Sequence, residues 1–246
     1  SSLGQWHLGY PSQALETNQE MLALASNLEH PFSLAHGLHF TCWLHLYLGC
    51  TEKLSETSNQ QIELSSENGF EFWKATGIFF KGSSLLLAQK PEQALENITG
   101  AVEAFRSLAA ILSLTLQLCH LSETLMSLER YDEAARALKE GLDLAENNHD
   151  RAHQAELFRL CGELVLLSNS DQAAAENYFR KAIELAREQK SKAWELRSSV
   201  SLAKLLKSQG RVQEARDCVG PIYDSFTEGF DLPDQIAAKE LLKSLA

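Results

Sequence analysis

Histidine and cysteine side chains near the N-terminus have the spacing of a metal site. His36, His39 and Cys42 follow one another at intervals of three residues, and His45 lies beyond them. Imidazole and thiolate groups on one helix face bind zinc when they converge. Cys42, however, belongs to a series of small residues that recurs along the chain, and it should point into the fold. The favoured interpretation is an aromatic, groove-facing or packed stripe, and we expect no metal.

A second histidine pair, His149 and His153, lies one helical turn apart and close to Glu156. This spacing also permits chelation. Exposed histidines at the start of a helix are the more common explanation of such a pair. We therefore expect neither a metal nor a cofactor in this segment.

Patterns typical of catalysis are missing from the sequence. It contains neither the Gly-x-x-x-x-Gly-Lys-Ser/Thr phosphate loop nor a Gly-x-Ser-x-Gly nucleophile elbow. Cys161 lies near Arg159 and Glu163, but it follows a regular helical pattern beside Gly162, where a thiol packs as a small hydrophobe. The sequence therefore predicts a protein that is not an enzyme and has no catalytic residues.

The composition limits the partners. Of the 246 residues 33 are acidic and 22 are basic, so the formal net charge is −11. Because phosphate binding needs a surplus of Lys and Arg, nucleic acid is not expected as a partner. The uncharged stretch between Arg106 and Glu123 is too short and too polar to span a membrane.

The cysteine content and the N-terminus bear on location. Five cysteines, an odd number without Cys-x-x-Cys spacing, favour a reducing cytoplasm over a disulfide framework. The first residues lack the basic and apolar regions of a signal peptide, and the abrupt start suggests a piece of a larger protein.

A period of about 40 residues organises the elements that must position these side chains. One series consists of Ala14, Leu54, Ala94, Ala134, Ala175 and Ala215, and a second of Cys42, Gly82, Ser122, Gly162 and Ala203. Each member of the second series lies 12 or 13 residues before a member of the first. Antiparallel helices approach closely where side chains are small. We therefore expect Gly82, Gly162 and Ala203 to face Ala94, Ala175 and Ala215.

Apolar spacing of three and four within each unit predicts two helices per repeat. Because one helix pair cannot bury both its faces, the pairs should stack into a superhelix. The predicted fold is an all-α, right-handed superhelical solenoid of antiparallel helix pairs that forms one domain over residues 1–246. Its parts are an orphan helix at 11–29, repeats at 33–68, 72–108, 111–148, 151–189 and 192–227, and a capping helix at 233–245.

The repeat pattern resembles the tetratricopeptide repeat (TPR). The small residue in each first helix, the alanine 12 residues later and the turns Arg130–Ala134 and Gly210–Ala215 carry the resemblance. The usual TPR period is about 34 residues, so a period near 40 implies longer second helices or longer loops.

A narrower resemblance involves Trp194–Arg197, Ser201–Ala203, Pro221–Tyr223 and Phe226–Asp231. These residues look like the C-terminal repeat region of large bacterial signalling proteins, in which a class III adenylate/guanylate cyclase, kinase or transcription-factor domain precedes a STAND-type ATPase. The resemblance implies a regulatory or sensor region. Any cyclase or ATPase activity would lie in other domains.

In this repeat class the first helices line a concave groove. The residues expected there are His36, His39, Trp43, Tyr47, Phe79, Ser83, Glu123, Glu156, Arg159, Glu163, Arg197 and Lys204. The N-terminal part of this groove is aromatic and suits an apolar anchor. In the C-terminal part, Arg159, Arg197 and Lys204 could hold a carboxylate. The alternative is that the two arginines pair with glutamates of the chain itself, namely Glu156, Glu163 or Glu195.

These features favour an interaction module that reversibly binds a protein, a peptide or upstream domains of its own polypeptide. The alternative is a receptor for a small molecule or peptide, with a pocket inside the superhelix. A tight pocket with convergent polar groups would favour the receptor, whereas a long open groove would favour a protein partner.

Overall fold

The computed structural model describes residues 1–108, 110, 113–148 and 150–245. Across these residues it contains thirteen helices and no strand. They are α1 Ser2–His7, α2 Pro11–Asn27, α3 Pro31–Tyr47, α4 Thr51–Asn68, α5 Glu71–Leu87, α6 Pro91–Ser107, α7 Leu114–Ser127, α8 Tyr131–Asn147, α9 Gln154–Ser168, α10 Gln172–Glu188, α11 Lys192–Ser208, α12 Val212–Asp224 and α13 Pro233–Ser244.

Each helix from α1 to α12 packs on the next, and α13 packs on α11 and α12. The fold is thus an all-α solenoid of antiparallel helix pairs with a C-terminal capping helix. No described helix has the length and apolar character needed to cross a membrane.

The N-terminal end differs from the prediction of an orphan helix at 11–29. The short helix α1 precedes it and packs against α2, so α1 and α2 form a shortened helix pair. With only six residues, α1 has too few turns to show an apolar period. Its Trp6 is nevertheless almost fully buried.

Proline and left-handed residues mark the helix boundaries. Pro11, Pro31, Pro91 and Pro233 each occupy the first turn of a helix, where a missing N–H costs no intrahelical bond. Left-handed residues follow most helices, including Gly69 with φ 68° after α4. The predicted start of the third repeat at Ile111 lies outside the described residues, and α7 begins at Leu114.

The small positions of the repeat are buried, but the nearest neighbours of Gly82 and Gly162 differ from the prediction. A Cβ added to Gly162 would lie 2.5 Å from Phe179 Cε1, and one added to Gly82 would lie 2.7 Å from Ile98 Cγ1. Ile98 and Phe179 lie one turn after the predicted partners Ala94 and Ala175. The glycines therefore make room for large side chains of the facing helix, and alanine is not the residue that needs the space.

The two ends of the solenoid touch each other. The backbone N–H of Ser12 donates to Glu228 Oε1 at 2.8 Å, and His7 Nδ1 lies 2.8 Å from Ser191 Oγ. We call this contact the seam: it joins α1, the start of α2 and the end of α3 to α11, residues 225–232 and the start of α13. The seam turns the open superhelix into a ring.

Glycine permits the close approach at the seam. A Cβ on Gly49 would lie 2.9 Å from Pro233 Cγ, and one on Gly229 would collide with Pro11. Both glycines also have left-handed backbone, with φ values of 67° and 75°. A larger residue at either position would be strained and would push the two ends apart.

Candidate functional site

A cavity of about 500 Å³ lies inside the ring. Its walls come from α1, α3, α7, α9, α11 and the start of α13, so both ends of the chain contribute. The charged residues that line it are Glu123, Glu156, Arg159, Glu163, Arg197, Lys204 and Asp234. Trp6, Tyr47, Leu116, Trp194 and Val200 supply apolar and aromatic wall. A shallower depression of about 290 Å³ shares Glu163, Ser201 and Lys204 with this cavity.

Arg159 is surrounded by three carboxylates. It donates through Nε and Nη2 to both oxygens of Glu156, at 2.9 and 2.7 Å. Its Nη2 lies 3.3 Å from Glu123 Oε1, and its Nη1 lies 3.4 Å from Glu163 Oε1. Ser201 donates to the same Glu163 oxygen at 2.7 Å. One guanidinium thus ties α7 to α9, and Ser201 extends the network to α11.

Glu123 and Glu156 titrate differently because only Glu156 accepts two hydrogen bonds from Arg159. Burial raises the pKa of Glu123 to about 7, against the attraction of Arg159 and with added repulsion from Glu156. Burial also acts to raise the pKa of Glu156, but Arg159 outweighs it and holds this pKa below its usual value. Burial would lower the pKa of Arg159, yet the carboxylates keep it above its usual range. Of these two carboxyl groups, Glu123 is therefore the one that takes up a proton near neutral pH, whereas Glu156 stays ionised.

Arg197 packs against two tryptophans at the seam. Its guanidinium carbon is 5.5 Å from the ring centre of Trp6 and 5.0 Å from that of Trp194. Its Nε donates to Asp234 Oδ2 at 2.6 Å, and its Nη2 donates to the carbonyl oxygen of Tyr47 at 3.2 Å. Arg197 thereby connects α3, α11 and α13 at the wall of the cavity.

A hydrogen-bonded chain of four side chains crosses the ring beside the cavity. Tyr47 Oη lies 2.8 Å from His153 Nε2, and His153 Nδ1 lies 3.0 Å from Thr115 Oγ1, which donates to Asp150 Oδ2 at 3.1 Å. Because Thr115 donates to Asp150, the consistent assignment has His153 Nδ1–H donating to Thr115 and Tyr47 donating to Nε2. Burial lowers the pKa of His153 to about 4, so this neutral form persists at pH 7.

His153 also differs from the exposed histidine that the sequence predicted. It is 2% exposed and stacks against Trp43, with ring centres 5.9 Å apart. His149, the other member of that pair, lies outside the described residues. Across residues 1–108, 110, 113–148 and 150–245, no three His, Cys, Asp or Glu side chains have an arrangement that could hold a metal ion.

The twelve expected groove residues separate into two groups in space. Those that line the cavity are Tyr47, Glu123, Glu156, Arg159, Glu163, Arg197 and Lys204. Those that do not are His36, His39, Trp43, Phe79 and Ser83. In this second group His39, Phe79 and Ser83 are buried, Trp43 is half-buried, and His36 is exposed.

The residues of the second group lie on α3 and α5, where the aromatic rings pack together. The ring of His39 lies 5.2 Å from that of Trp73 and 5.5 Å from that of Phe80, and burial lowers its pKa to about 3. Cys42, on the same helix, is completely buried, which raises the pKa of its thiol. The histidine and cysteine of this stripe are therefore neutral packing groups.

Both arginines of the expected groove pair within the chain. Arg159 meets Glu156 and Glu163, as the alternative interpretation held, and also Glu123, whereas Arg197 meets Asp234 and not Glu195. Lys204 is exposed and forms no ion pair with any described residue. Arg159, Arg197 and Lys204 were expected to donate hydrogen bonds to a carboxylate of the partner. Among these three, only the ammonium group of Lys204 forms no ion pair with a described residue.

Several cavity residues escaped the sequence analysis. Trp6, His120, Asp234 and Gln235 line the cavity but lie outside the repeat positions that were used to find the groove. The seam brings Trp6, Asp234 and Gln235 to the cavity, and a repeat pattern contains no information on contacts between the first and last repeats. The pairing of Trp6 with Trp194, with ring centres 5.1 Å apart, had no local signal.

The fold and cavity define a TPR-like solenoid. The tetratricopeptide repeat family model matches residues 118–148 and 164–189, which span α7 to α10. No curated protein sequence matches the chain significantly.

Solved structures with the same architecture include two Rap proteins. A Rap protein complexed with competence and sporulation factor superposes with a TM-score of 0.69 at 14% identity, over 99% of this chain and 71% of that chain. The apo form of RapI gives a TM-score of 0.63 at 17% identity, over 96% and 77%. At these identities the similarity shows the fold alone.

A third similar structure is part of a larger protein. The STAND protein with a tetratricopeptide repeat sensor from Pyrococcus horikoshii gives a TM-score of 0.55 at 14% identity. The match covers 96% of this chain but only 36% of that chain.

Proposed function

We propose that this chain is a non-catalytic sensor module that binds a peptide or small molecule inside its ring of helices. The observation that carries the proposal is the cavity of about 500 Å³ in which charged groups from α7, α9, α11 and α13 converge. Ligand pockets of roughly 300–1,000 Å³ are typical for small molecules. A tight pocket with convergent polar groups is the feature that separates a receptor from an open protein-docking groove.

The concave surface leaves little room for a long protein segment. Trp6, His153 and Trp194 fill the space beside Tyr47, and the stacked rings of Trp6 and Tyr47 are 4.1 Å apart. An extended partner would have to displace this cluster. A compact ligand in the cavity needs no such rearrangement.

The sensor module would belong to a larger signalling protein. The STAND protein, whose repeats are described as a sensor, supports this placement, as does the resemblance to repeat regions that follow cyclase and ATPase domains. Ligand binding would change the contacts between the module and those domains, and peptide or protein partners would act through it. All five cysteines are free thiols, which supports a reducing cytoplasm.

The proposal is tested by ligand capture with matched variants. The immobilised chain is exposed to the low-molecular-mass fraction of a cell extract, and bound compounds are identified by mass spectrometry. Ala237→Trp fills the cavity at an exposed lining residue, and Ala173→Trp adds the same ring to an exposed position on α10. We expect compounds retained by the native chain and by Ala173→Trp but lost from Ala237→Trp. Equal recovery from all three proteins, or no recovery, would refute a ligand inside the ring.

A further inference from the structure

The ligand of the cavity can be characterised further from the balance of charges around Arg159. Three carboxylates, Glu123, Glu156 and Glu163, share this single guanidinium, while Arg197 is paired with Asp234. Lys204 also lines the cavity, without an ion pair to any described residue, so four carboxylates face three cations there. The cluster therefore holds more negative charge than its own cation can neutralise.

The negative groups are also the ones that a ligand can reach. The side chains of Glu123 and Glu163 are 32% and 34% exposed, although both lie on the inner face of the ring. Arg159 is 14% exposed, and Glu156 is only 6% exposed. A ligand in the cavity therefore meets carboxylate oxygens first and finds the guanidinium already covered.

The α13 part of the cavity wall contains a buried acceptor that no described residue satisfies. Gln235, on α13 next to Asp234, lines the cavity and is 3% exposed. Its Oε1 receives no hydrogen bond from any described residue. Buried acceptors of this kind are normally satisfied, and an N–H donor of a ligand would satisfy this one.

The rest of the wall suits an organic group. Leu116, Val200 and Trp194 provide apolar and aromatic surface next to the carboxylates. In the described part of the chain the carboxylates do not have the arrangement that would hold a metal ion. A cation with carbon substituents matches both the charge and the apolar surface.

We propose that the cavity binds an organic cation whose ammonium or guanidinium group lies against Glu123 and Glu163. This inference rests on the proposed function, because it names the ligand class of the same cavity. It reverses the expectation that the arginines of the groove hold an acidic partner.

The inference is tested with three capped tripeptides that differ in one side chain. Acetyl-Leu-Arg-Leu-amide carries one positive charge, its citrulline analogue is a neutral isostere, and its glutamate analogue is negative. Affinities are measured by isothermal titration calorimetry. We expect the arginine peptide to bind at least about tenfold more tightly than the citrulline peptide, the usual gain for a hydrogen bond to a charged group.

Protein variants show where the discrimination arises. Glu123→Gln and Glu163→Gln should each reduce the preference for arginine over citrulline several-fold. Glu103→Gln, which removes the same charge from an exposed position on α6, should leave the preference unchanged.

Three outcomes would overturn the inference. The first is equal or tighter binding of the neutral or acidic peptide, and the second is no binding of any peptide. The third is displacement of the arginine peptide by an equal concentration of Mg²⁺ or Ca²⁺. None of them decides the proposed function, which depends on the capture experiment with Ala237→Trp. If Ala237→Trp loses the captured compounds but the native chain binds the three peptides equally well, the receptor proposal is retained and the organic cation is rejected.

Discussion

Arg159 is the residue on which the charge of the cavity depends. Breaking a buried ion pair from one side leaves an uncompensated charge, which costs more than the pair contributes when intact. Glu156 is the residue most exposed to this penalty, because it is the most buried of the three carboxylates and holds two hydrogen bonds from Arg159.

We expect Arg159→Gln to lower the free energy of unfolding by about 3–5 kcal/mol. Adding Glu156→Gln should restore part of the loss, because the most buried of the stranded carboxylates is then neutral. The comparison is made by urea denaturation at pH 7.5. Lys204→Gln is the control and should change stability by less than about 0.5 kcal/mol. If Arg159→Gln were as stable as Lys204→Gln, Arg159 and its three carboxylates would not stabilise one another.

Glu123 should make cation binding depend on pH. The groups facing it are His120 on its own helix, Glu156, Arg159 and Glu163 on α9, and Arg197 on α11. Its pKa of about 7 means that it is largely protonated at pH 6 and largely ionised at pH 8. A bound cation stabilises the ionised form, so binding at pH 7 releases a proton and affinity rises with pH.

Between pH 6 and 8 we expect the affinity for the cation to increase with pH. The increase approaches about tenfold per pH unit below pH 7 and levels off above pH 7. Calorimetry of the arginine peptide over this range measures it. Glu123→Gln should give a nearly flat profile, and a flat profile in the native chain would contradict the assignment.

At the scale of helices, the spacing of α9 and α10 depends on Gly162. The side chain of Phe179 fills the space where a Cβ would stand, and Phe179 is completely buried, so it cannot move away. Gly100, by contrast, lies on the exposed side of α6 with no neighbouring atom within 4 Å. Gly162 is therefore needed for the close packing of its helix, whereas the position of Gly100 has room for a side chain.

Gly162→Ala should destabilise the protein by about 1–3 kcal/mol through overpacking. Gly100→Ala should stabilise it by about 0.5–1 kcal/mol, because alanine loses less conformational entropy in a helix. Thermal and urea unfolding of both variants test the pair. A stabilising Gly162→Ala would show that α9 and α10 separate at little cost.

The whole molecule is a ring because its ends meet at the seam. Trp6 contributes most of the aromatic contact there, against Tyr47, Trp194 and Arg197. It belongs to the six-residue helix α1, which packs against α2, α3 and α11.

Trp6→Ala should destabilise the chain by about 3–5 kcal/mol and open the ring. Small-angle X-ray scattering should then show a larger radius of gyration. Trp73→Ala is the matched control, since Trp73 lies on α5 and packs against His36 and His39 of α3, away from the seam residues. The radius of gyration of Trp73→Ala should stay at the native value. An equal expansion in both variants would argue that the seam does not close the ring.

Five histidines connect global stability to pH. Burial is the largest cause of the lowered pKa in each of them, to about 4 for His7, His45 and His153 and about 3 for His39 and His120. Between pH 6.5 and 4 the unfolded chain binds protons at these positions and the folded chain does not. Stability is therefore complete above pH 6.5 and falls as the pH decreases through this range.

Each of these histidines contributes up to about 1.4 kcal/mol per pH unit below pH 6.5. Glu123 opposes the trend, because its raised pKa makes the folded state the better proton acceptor between its usual value and about 7. Urea midpoints at pH 7.5, 6 and 5 should decrease in that order. The decrease should be smaller in His39→Gln, and a midpoint that does not change with pH would show that these histidines are not buried.

The sequence determined the helical architecture, because helix formation and pair packing are local. The period of about 40 residues, the prolines at helix starts and the small positions such as Gly82 depend on residues within one unit or its neighbour. The predicted helices therefore lie within a few residues of the observed ones wherever the chain is described, apart from the short helix α1.

Only the tertiary structure decided which groups meet inside the ring. Ser12 contacts Glu228 across 216 positions and Arg197 contacts the carbonyl of Tyr47 across 150, distances at which no repeat period constrains the pairing. The same closure brings Asp234 to Arg197 and places Trp6 in the cavity wall. The charge offered to a ligand depends on solvent access and on competing ion pairs such as Arg197 with Asp234, and side-chain positions that are distant in the sequence decide both.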